Sequence, residues 1–208
     1  MPEPLQMTTL PASTAAPTGR RARQRADTRE RLFEASLAEF RECGVASAQI
    51  DRIARTAGVV RGTFYFHFPT KDDVLLELKH RMEHQILLRM RSFPNEVLPL
   101  DDYLRRVADA LVEATSLVGS AEVLREALSL YVRRPDSQSV EGASLEEEVT
   151  RRFASAQQDG ELRQDLSAQQ IAVLFLTSTF GFFAHLEGDE LRAALDSLVG
   201  VVGKGIRA

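Results

Sequence analysis

The sequence has a single cysteine, no tryptophan and no unbroken apolar run of the length that spans a membrane. One cysteine, Cys43, excludes an internal disulfide framework and fits a reducing cytoplasm. The longest apolar stretch, residues 171–186, is interrupted by threonine, serine and glycine and is shorter than a typical transmembrane helix. The first residues are polar and rich in proline, without the apolar region of a secretory signal. These absences predict a cytoplasmic protein without a membrane span.

Motifs for catalysis and for metal binding are also missing from the sequence. His80 and His84 are four residues apart and could share a zinc ion, but no HExxH motif accompanies them. There is no Walker-type or GxGxxG loop, and no serine or cysteine is arranged with a histidine as in a catalytic triad. Cys43 follows the apolar stripe of the first predicted helix, so it is expected in the core, with a redox switch as the alternative. We therefore expect no catalytic activity, no cofactor and no resident metal.

The net charge of −4 conceals two oppositely charged parts of the chain. Residues 20–91 contain 15 lysines and arginines against 10 aspartates and glutamates, whereas residues 92–208 contain 11 against 19. The first part is net basic and the second is net acidic. Since a basic surface attracts polyanions, any nucleic-acid contact is predicted in the first part.

Apolar side chains recur at three- and four-residue spacing along most of the chain, and no segment alternates as a strand does. This pattern predicts an all-α fold with two units, at residues 25–78 and 79–208, which divide within or just after the fourth helix. We find no internal repeat. The predicted helices cover residues 28–44, 48–57, 60–66, 70–93, 100–118, 121–133, 145–158, 168–186 and 190–203.

Residues 1–24 are predicted to be a disordered lead, because residues 1–19 contain four prolines among many small polar residues. A run of arginines follows at Arg20, Arg21, Arg23 and Arg25. Such a run can act as a flexible arm that reaches a minor groove or a phosphate. A solvated charged tail is the alternative, and the sequence does not decide between the two.

The most informative stretch is residues 44–78, GVASAQIDRIARTAGVVRGTFYFHFPTKDDVLLEL. It predicts a helix, a turn at Gly58, a second short helix, and a third helix that opens behind Pro69. A major groove is wide enough for one α-helix. In helix-turn-helix proteins the second helix lies in that groove while the first crosses the backbone. The short helix after Gly58 is therefore the predicted DNA reader.

The residue types on this short helix suit phosphates and bases. Arg61 can bind a guanine edge or a phosphate, with a solvated arginine as the alternative. Thr63 can contact a thymine methyl group or donate to a phosphate. Gly62 has no side chain, so the backbone can approach DNA closely. Tyr65 and His67 offer hydrogen-bond donors to phosphate, with a packing role as the alternative for each.

The stretch resembles the DNA-binding domain of the TetR (tetracycline-repressor) family of bacterial regulators. The resemblance covers about residues 27–78. It implies an N-terminal three-helix helix-turn-helix DNA-binding domain followed by a larger C-terminal helical domain for effector binding and dimerisation. The matching elements are Phe40, Gly44, Ile53-Ala54, Ala57-Gly58-Val59, Gly62-Thr63-Phe64-Tyr65, His67-Phe68 and Lys71-Asp72.

The resemblance also implies roles for single residues, and the chain departs from the family at two places. Lys71, which opens the next helix, matches a common phosphate contact. Ala48 and Gln49 replace two threonines, so Ser47 is left to cap the second helix, or Gln49 to contact DNA. Val60 replaces a capping serine or an alanine and is expected to contact a thymine methyl group instead. The predicted DNA-contacting set is Ser47, Gln49, Val60, Arg61, Gly62, Thr63, Tyr65, His67 and Lys71.

For the second domain, the nearly all-apolar helix at residues 168–186 is predicted to lie partly in a subunit interface, with a plain core helix as the alternative. By resemblance, the family dimerises through its last two long helices, and residues 145–158 and 168–186 are the candidates. The resemblance also implies an effector pocket, which is apolar with a few polar groups. Its candidate residues, each with a core role as the alternative, are His84, Tyr103, Arg125, Tyr131, Phe153, Phe175, Thr179, Phe180 and Phe183.

Taken with the basic N-terminal part, the resemblance implies a homodimeric transcription regulator that binds a palindromic operator in double-stranded DNA. A repressor released by a small-molecule effector is the favoured form, and a ligand-independent DNA-binding accessory protein is the alternative. The sequence identifies neither the operator nor the effector.

Overall fold

The computed structural model describes residues 19–92, 98–133 and 144–207, and this part of the chain is helical apart from short connections and one isolated backbone bridge between Leu162 and Arg207. The expected all-α fold is confirmed. No helix within these ranges is both long and apolar enough to cross a membrane. In chain order the described helices are α1 (Arg20–Ser47), α2 (Ile50–Thr56), α3 (Arg61–His67), α4 (Lys71–Arg91), α5 (Leu100–Thr115), α6 (Ala121–Arg133), α7 (Leu145–Gln158), α8 (Ala168–His185) and α9 (Gly188–Gly205).

Helix α1 begins at Arg20, eight residues before the predicted start at residue 28. Its N-cap is Gly19, and the Thr28 hydroxyl donates to the Gln24 carbonyl inside the helix. The expectation of an unstructured arginine arm was therefore wrong for residues 20–25, which form the first turns of α1. Residues 20–43 contain neither glycine nor proline and begin with good helix formers, so nothing stops the helix from extending upstream. Residues 1–18 lie outside the described part.

The break near the end of α1 and the turn after α2 occur at the two predicted glycines. Gly44 has φ 77° and interrupts the helical geometry of α1, while Gly58 has φ 68° in the turn between α2 and α3. Both angles are strained for a residue with a Cβ. Helix α4 then opens with a capping box in which Thr70 and Asp73 bond each other's backbone and side chain.

The two expected units share one continuous core. Side chains from α1 to α4 pack in the same buried cluster as side chains from α5 to α9. Helix α4 runs through both, so the expected boundary at residue 78 falls inside a helix. Arg41 of α1 adds a second connection, because its guanidinium donates to the backbone oxygens of Leu117 at 2.8 Å and Val118 at 2.7 Å. A displacement in the second unit can therefore reach the first by two routes.

The outer surface of the second unit differs from the sequence expectation. Helix α7, expected at the subunit interface, exposes charged residues such as Glu147 and Arg151 and packs its apolar side against the protein core. Apolar side chains are instead exposed on α8 and α9: Leu174 is 56% exposed and Val201 is 71% exposed. Helix α9 is as long as α8, at 18 residues each, so the last two long helices are α8 and α9.

Candidate nucleic-acid interface

Helix α3 presents one face to solvent and seals the other against the core. Phe64 is fully buried, as is Phe68 directly after the helix. Val60 is 74% exposed just before the helix, and Arg61, Gly62 and Tyr65 are exposed along it, with Thr63 half-buried. The apolar residues hold α3 in place, and the residues predicted to touch DNA stay accessible.

Arg61 is held by two neighbours on this outer face. Its Nη1 donates to Asp51 Oδ2 at 2.7 Å, and its Nη2 donates to the Tyr65 hydroxyl at 3.2 Å. The Tyr65 hydroxyl, and then the Asp51 carboxylate, raise the pKa of Arg61. Asp51 lies in the first turn of α2, so this ion pair joins the two helices of the motif. The guanidinium therefore has a defined position before any DNA is present.

His67 is buried, and its backbone oxygen accepts from Arg29 Nη1 at 2.7 Å. Burial, followed by the positive charges of Arg29 and Arg25, lowers the pKa of the imidazole. His67 is therefore neutral at neutral pH, and any phosphate contact would be a hydrogen bond and not an ion pair. Its burial favours the packing alternative.

Lys71 has protein partners for its ammonium group. Its Nζ donates to the backbone oxygens of Val45 at 2.7 Å, Ala46 at 2.8 Å and Ala48 at 3.0 Å. An ammonium has three N–H groups, so the three carbonyls can occupy all of them. The arrangement fixes the end of α1 and the residue directly after it to the start of α4. The predicted phosphate contact stays a prediction, and it requires Lys71 to leave at least one of these carbonyls.

Ser47 does not cap α2, and the alternative expectation, a contact of Gln49 with DNA, stays a prediction. Gln49 occupies the N-cap position without a side-chain cap bond, and its backbone N–H donates to Glu39 Oε1 at 3.1 Å. Ser47 is exposed two residues earlier. Val60 likewise gives α3 no side-chain cap, as its residue type predicts. A carboxylate from α1 therefore accepts from the backbone N–H of the N-cap residue, and no side chain caps the first turn of α2.

Phe66 was missed by the sequence reasoning, although it belongs to the same surface. It is 65% exposed, and the Arg25 guanidinium lies 4.9 Å from its ring centroid. Arg25 reaches it because the helix α1 extends upstream. The sequence shows only that Arg25 and Arg29 are one helical turn apart. In the structure the Arg29 guanidinium also packs on Phe68, 4.3 Å from its ring centroid. The basic start of α1 is thereby attached to the end of α3.

The second unit contains a narrow cavity of about 50 Å³. This is far below the range of roughly 300–1,000 Å³ that ligand pockets occupy. Its wall is apolar except for two charged residues of α4 and one threonine. The lining residues are Lys79, Met82, Glu83, Ile86, Leu111, Thr115, Leu124, Ala127, Leu128, Leu145, Phe180 and Phe183.

Two of the predicted pocket residues, Phe180 and Phe183, line this cavity, and the other candidates whose side chains are described lie elsewhere. Tyr103, Phe153, Phe175 and Thr179 are buried in the core. Burial, and then the negative charge of Glu148, raise the pKa of Tyr103. His84 lines the groove between α1 and α4, and Arg125 forms an exposed ion pair with Glu187. The side chain of Tyr131 lies outside the described part.

A family model described as bacterial regulatory proteins, tetR family, matches residues 32–78, from the middle of α1 into α4. The chain belongs to the tetR family. It is therefore a helix-turn-helix DNA-binding regulator of transcription. The matched residues include the whole of α2 and α3, whose exposed face is described above.

The relatives and solved structures of this TetR-family chain extend the similarity beyond the DNA-binding unit. The HTH-type transcriptional regulator UidR of Escherichia coli (strain K12) is 27% identical over 168 residues, 79% of this chain and 84% of UidR. EthR of Mycobacterium tuberculosis (strain CDC 1551 / Oshkosh) is 44% identical over 89 residues, 41% of each chain.

Two solved structures share the fold at low sequence identity. FadR of Thermus thermophilus, a TetR-family repressor in complex with lauroyl-CoA, superposes with a TM-score of 0.65 and 22% identity, over 85% of this chain and 94% of FadR. SmeT, the repressor of a Stenotrophomonas maltophilia multidrug efflux pump, gives a TM-score of 0.60 at 18% identity, over 88% of this chain and 93% of SmeT. The helical second unit is thus a fold shared with these proteins.

Proposed function

We propose that this chain is a cytoplasmic, non-catalytic, homodimeric repressor that binds a roughly palindromic operator through α3 and leaves it when a small-molecule effector binds the second unit. The observation that carries the proposal is the exposed face of α3. Val60, Arg61, Gly62 and Tyr65 project from a helix whose other side is sealed by fully buried phenylalanines. A surface of this composition suits base edges and phosphates.

Each residue of that face has a distinct proposed role. Arg61 binds a guanine edge, Val60 and Thr63 contact thymine methyl groups, and Tyr65 donates to a phosphate. Gly62 allows the backbone to approach the DNA. Lys71 and His67 are proposed to support the loop and the core, because their present partners and burial suit that role.

The exposed apolar surface of α8 and α9 supports the homodimer. Val173, Leu174 and Val201 are exposed there, and Ser178 and Gly181 are small enough for close helix approach. A two-fold dimer presents two copies of α3, which must reach major grooves about 34 Å apart. An operator read in this way is palindromic because the protein is symmetric.

The cavity supports an apolar effector and suggests how it acts. A drug-sized molecule cannot enter a space of about 50 Å³ unless the surrounding helices separate. Met82 and Ile86 of α4 line the cavity, and the first turns of α4 lie in the DNA-binding unit. An effector that prefers the widened state therefore shifts α4 and, with it, the spacing of the two α3 helices. FadR, crystallised with lauroyl-CoA, has the same fold.

Selection from a pool of random duplexes tests the DNA-binding part of the proposal. The wild-type chain is expected to enrich a palindromic sequence. Arg61→Ala is expected to lose discrimination at one base pair of each half-site by about 10- to 100-fold. Arg105→Ala, an exposed arginine of α5 paired with Asp102, serves as the control and is expected to keep full discrimination. Enrichment of no sequence by the wild-type chain would refute the proposal.

The effector part is tested by filling the cavity. Ala127→Leu adds side-chain volume to the wall contributed by α6, at a stability cost of about 1–3 kcal/mol. The variant is expected to bind the selected operator normally. In a screen of apolar compounds for release of labelled operator, it is expected to resist every compound that releases the wild-type chain. Equal release of both proteins would place the effector site elsewhere.

A further inference from the structure

Asp51 is a carboxylate on the surface that the proposed function assigns to DNA. It is 57% exposed and its partner Arg61 is exposed to the same extent. An exposed ion pair contributes little to folding stability, since both groups are well solvated when apart. A negative charge beside phosphates also opposes DNA binding of any sequence. Neither folding stability nor general affinity for DNA therefore explains the pair of Asp51 and Arg61.

The geometry offers such a role, because Asp51 restricts where Arg61 can go. The two bonds from Arg61 to Asp51 and to the Tyr65 hydroxyl use two of the five N–H groups of the guanidinium. The remaining N–H groups keep a fixed direction relative to α3. A free arginine at this position would swing to the nearest phosphate, and a phosphate contact carries no sequence information.

We propose that Asp51 is a specificity-determining residue that positions Arg61 for a base edge and withholds it from phosphates. The inference rests on the proposed function, since it assumes that α3 reads DNA. On the correct sequence, the contact between Arg61 and the base offsets the repulsion of Asp51. On other sequences the repulsion remains and Arg61 gains no base contact, so binding is weakened selectively.

The chain provides a matched control for the loss of one negative charge. Glu42 of α1 is 64% exposed and pairs with Arg52 of α2 at 2.9 Å. Glu42→Gln removes the same charge and also breaks an arginine–carboxylate pair in the same unit, but it leaves Arg61 untouched. Asp51→Asn keeps the size of the side chain, and Asp51→Glu restores the charge.

The experiment measures binding of the full-length variants to two duplexes over a range of salt concentrations. The first duplex is the one that the wild-type chain selects from a random pool, and the second is a shuffled version of it. Asp51→Asn is expected to bind the shuffled duplex about three- to tenfold more tightly, with a salt slope steeper by about one. Its affinity for the selected duplex is expected to stay within about threefold of wild type. Glu42→Gln is expected to keep the wild-type ratio, and Asp51→Glu to restore most of it.

A double-mutant cycle separates positioning from a general charge effect. In an Arg61→Ala background, Asp51→Asn is expected to leave the ratio of the two affinities unchanged. The inference is overturned if Asp51→Asn tightens both duplexes by the same factor, or if its effect on the ratio persists without Arg61. If the wild-type chain selects no sequence at all, the proposed function fails first, and that outcome is distinct from both. Thermal unfolding of each variant checks that it is folded.

Discussion

Several long cationic side chains of this protein hold backbone carbonyls in place. Lys71 bonds three carbonyls at the end of α1 and directly after it, Arg31 bonds the Ala57 carbonyl at 2.8 Å, and Arg29 bonds the His67 carbonyl. These bonds satisfy the carbonyl groups that helix ends leave without partners. At the scale of single residues, the helix-turn-helix is therefore fastened by charged hydrogen bonds as well as by its apolar core.

Lys71→Met is expected to destabilise the fold without weakening a phosphate contact. The loss of charged bonds to three carbonyls should lower the free energy of unfolding by about 2 kcal/mol, measured by urea denaturation. The salt slope of operator binding should stay unchanged, whereas the loss of a phosphate contact would lower it by about one. A lowered salt slope would instead support the phosphate contact that was expected from the sequence.

Glu77 makes the stability of the fold depend on pH, and the sign of this dependence follows from the groups around its carboxyl. Burial raises the pKa of this carboxyl, but hydrogen bonds from Arg29 and Arg81 outweigh it, so the pKa is lowered below 4.5. A lowered pKa in the folded state stabilises the fold above about pH 4.5, and this contribution is lost as the pH falls through the folded value.

Glu77→Gln is expected to cost about 1–2 kcal/mol of unfolding free energy at pH 7. The difference from wild type should shrink as the pH falls below 4.5, because the wild-type carboxyl is protonated first in the unfolded chain and, at still lower pH, in the folded one. Urea denaturation at several pH values measures this difference in unfolding free energy. Glu34→Gln, an exposed carboxylate on α1, is the control and should show little difference at any pH. A constant difference across the pH range would contradict the assignment.

At the scale of helices, α1 and α4 connect the DNA-binding unit to the rest of the chain in different ways. Helix α4 is 21 residues long, or about 31 Å, and has its first turns in one unit and its later turns against the cavity. Helix α1 reaches the corner between α5 and α6 through Arg41. An effector signal can therefore pass through the shift of α4, through the corner, or through both.

Amide hydrogen exchange tests the route through Arg41. Operator binding is expected to slow exchange at the corner between α5 and α6 in the wild-type chain, because coupling between two sites is reciprocal. Arg41→Ala should abolish this protection while operator affinity changes by no more than about threefold. Arg31→Ala removes a similar bond within the DNA-binding unit and should leave the protection in place. Protection that survives in Arg41→Ala would assign the coupling to α4 alone.

At the scale of the whole molecule, the proposed dimer surface can be tested against an equally apolar control. Leu174→Glu on α8 is expected to give a monomer in sedimentation experiments. It is also expected to lower operator affinity by at least about 100-fold, because each half-site is then bound alone. Leu88→Glu replaces a leucine that is 44% exposed on α4, away from α8 and α9, and should remain dimeric. If Leu174→Glu remained a dimer, the exposed apolar face of α8 and α9 would be excluded as the dimer interface.

The sequence predicted those parts of the molecule that depend on local patterns. Gly44 and Gly58 marked interruptions of the helical backbone because a positive φ favours glycine, and the spacing of apolar residues predicted the helices. It missed what depends on distant partners. Arg41 meets carbonyls 76 and 77 residues away, and Lys71 meets carbonyls whose positions only the folded loop defines. The arginines at positions 20–25 were misassigned because they directly follow the proline-rich residues 1–19, which predict disorder, although arginine is itself a good helix former.

The bonds from Arg41 end on the main chain of Leu117 and Val118 and not on their side chains. Every amino acid carries that oxygen, so substitutions at these two positions leave the attachment chemically intact as long as the corner keeps its shape. Side chains of the second unit can thus be substituted to accept a different small molecule, while the two hydrogen bonds from Arg41 that attach this unit to the DNA-binding unit are kept.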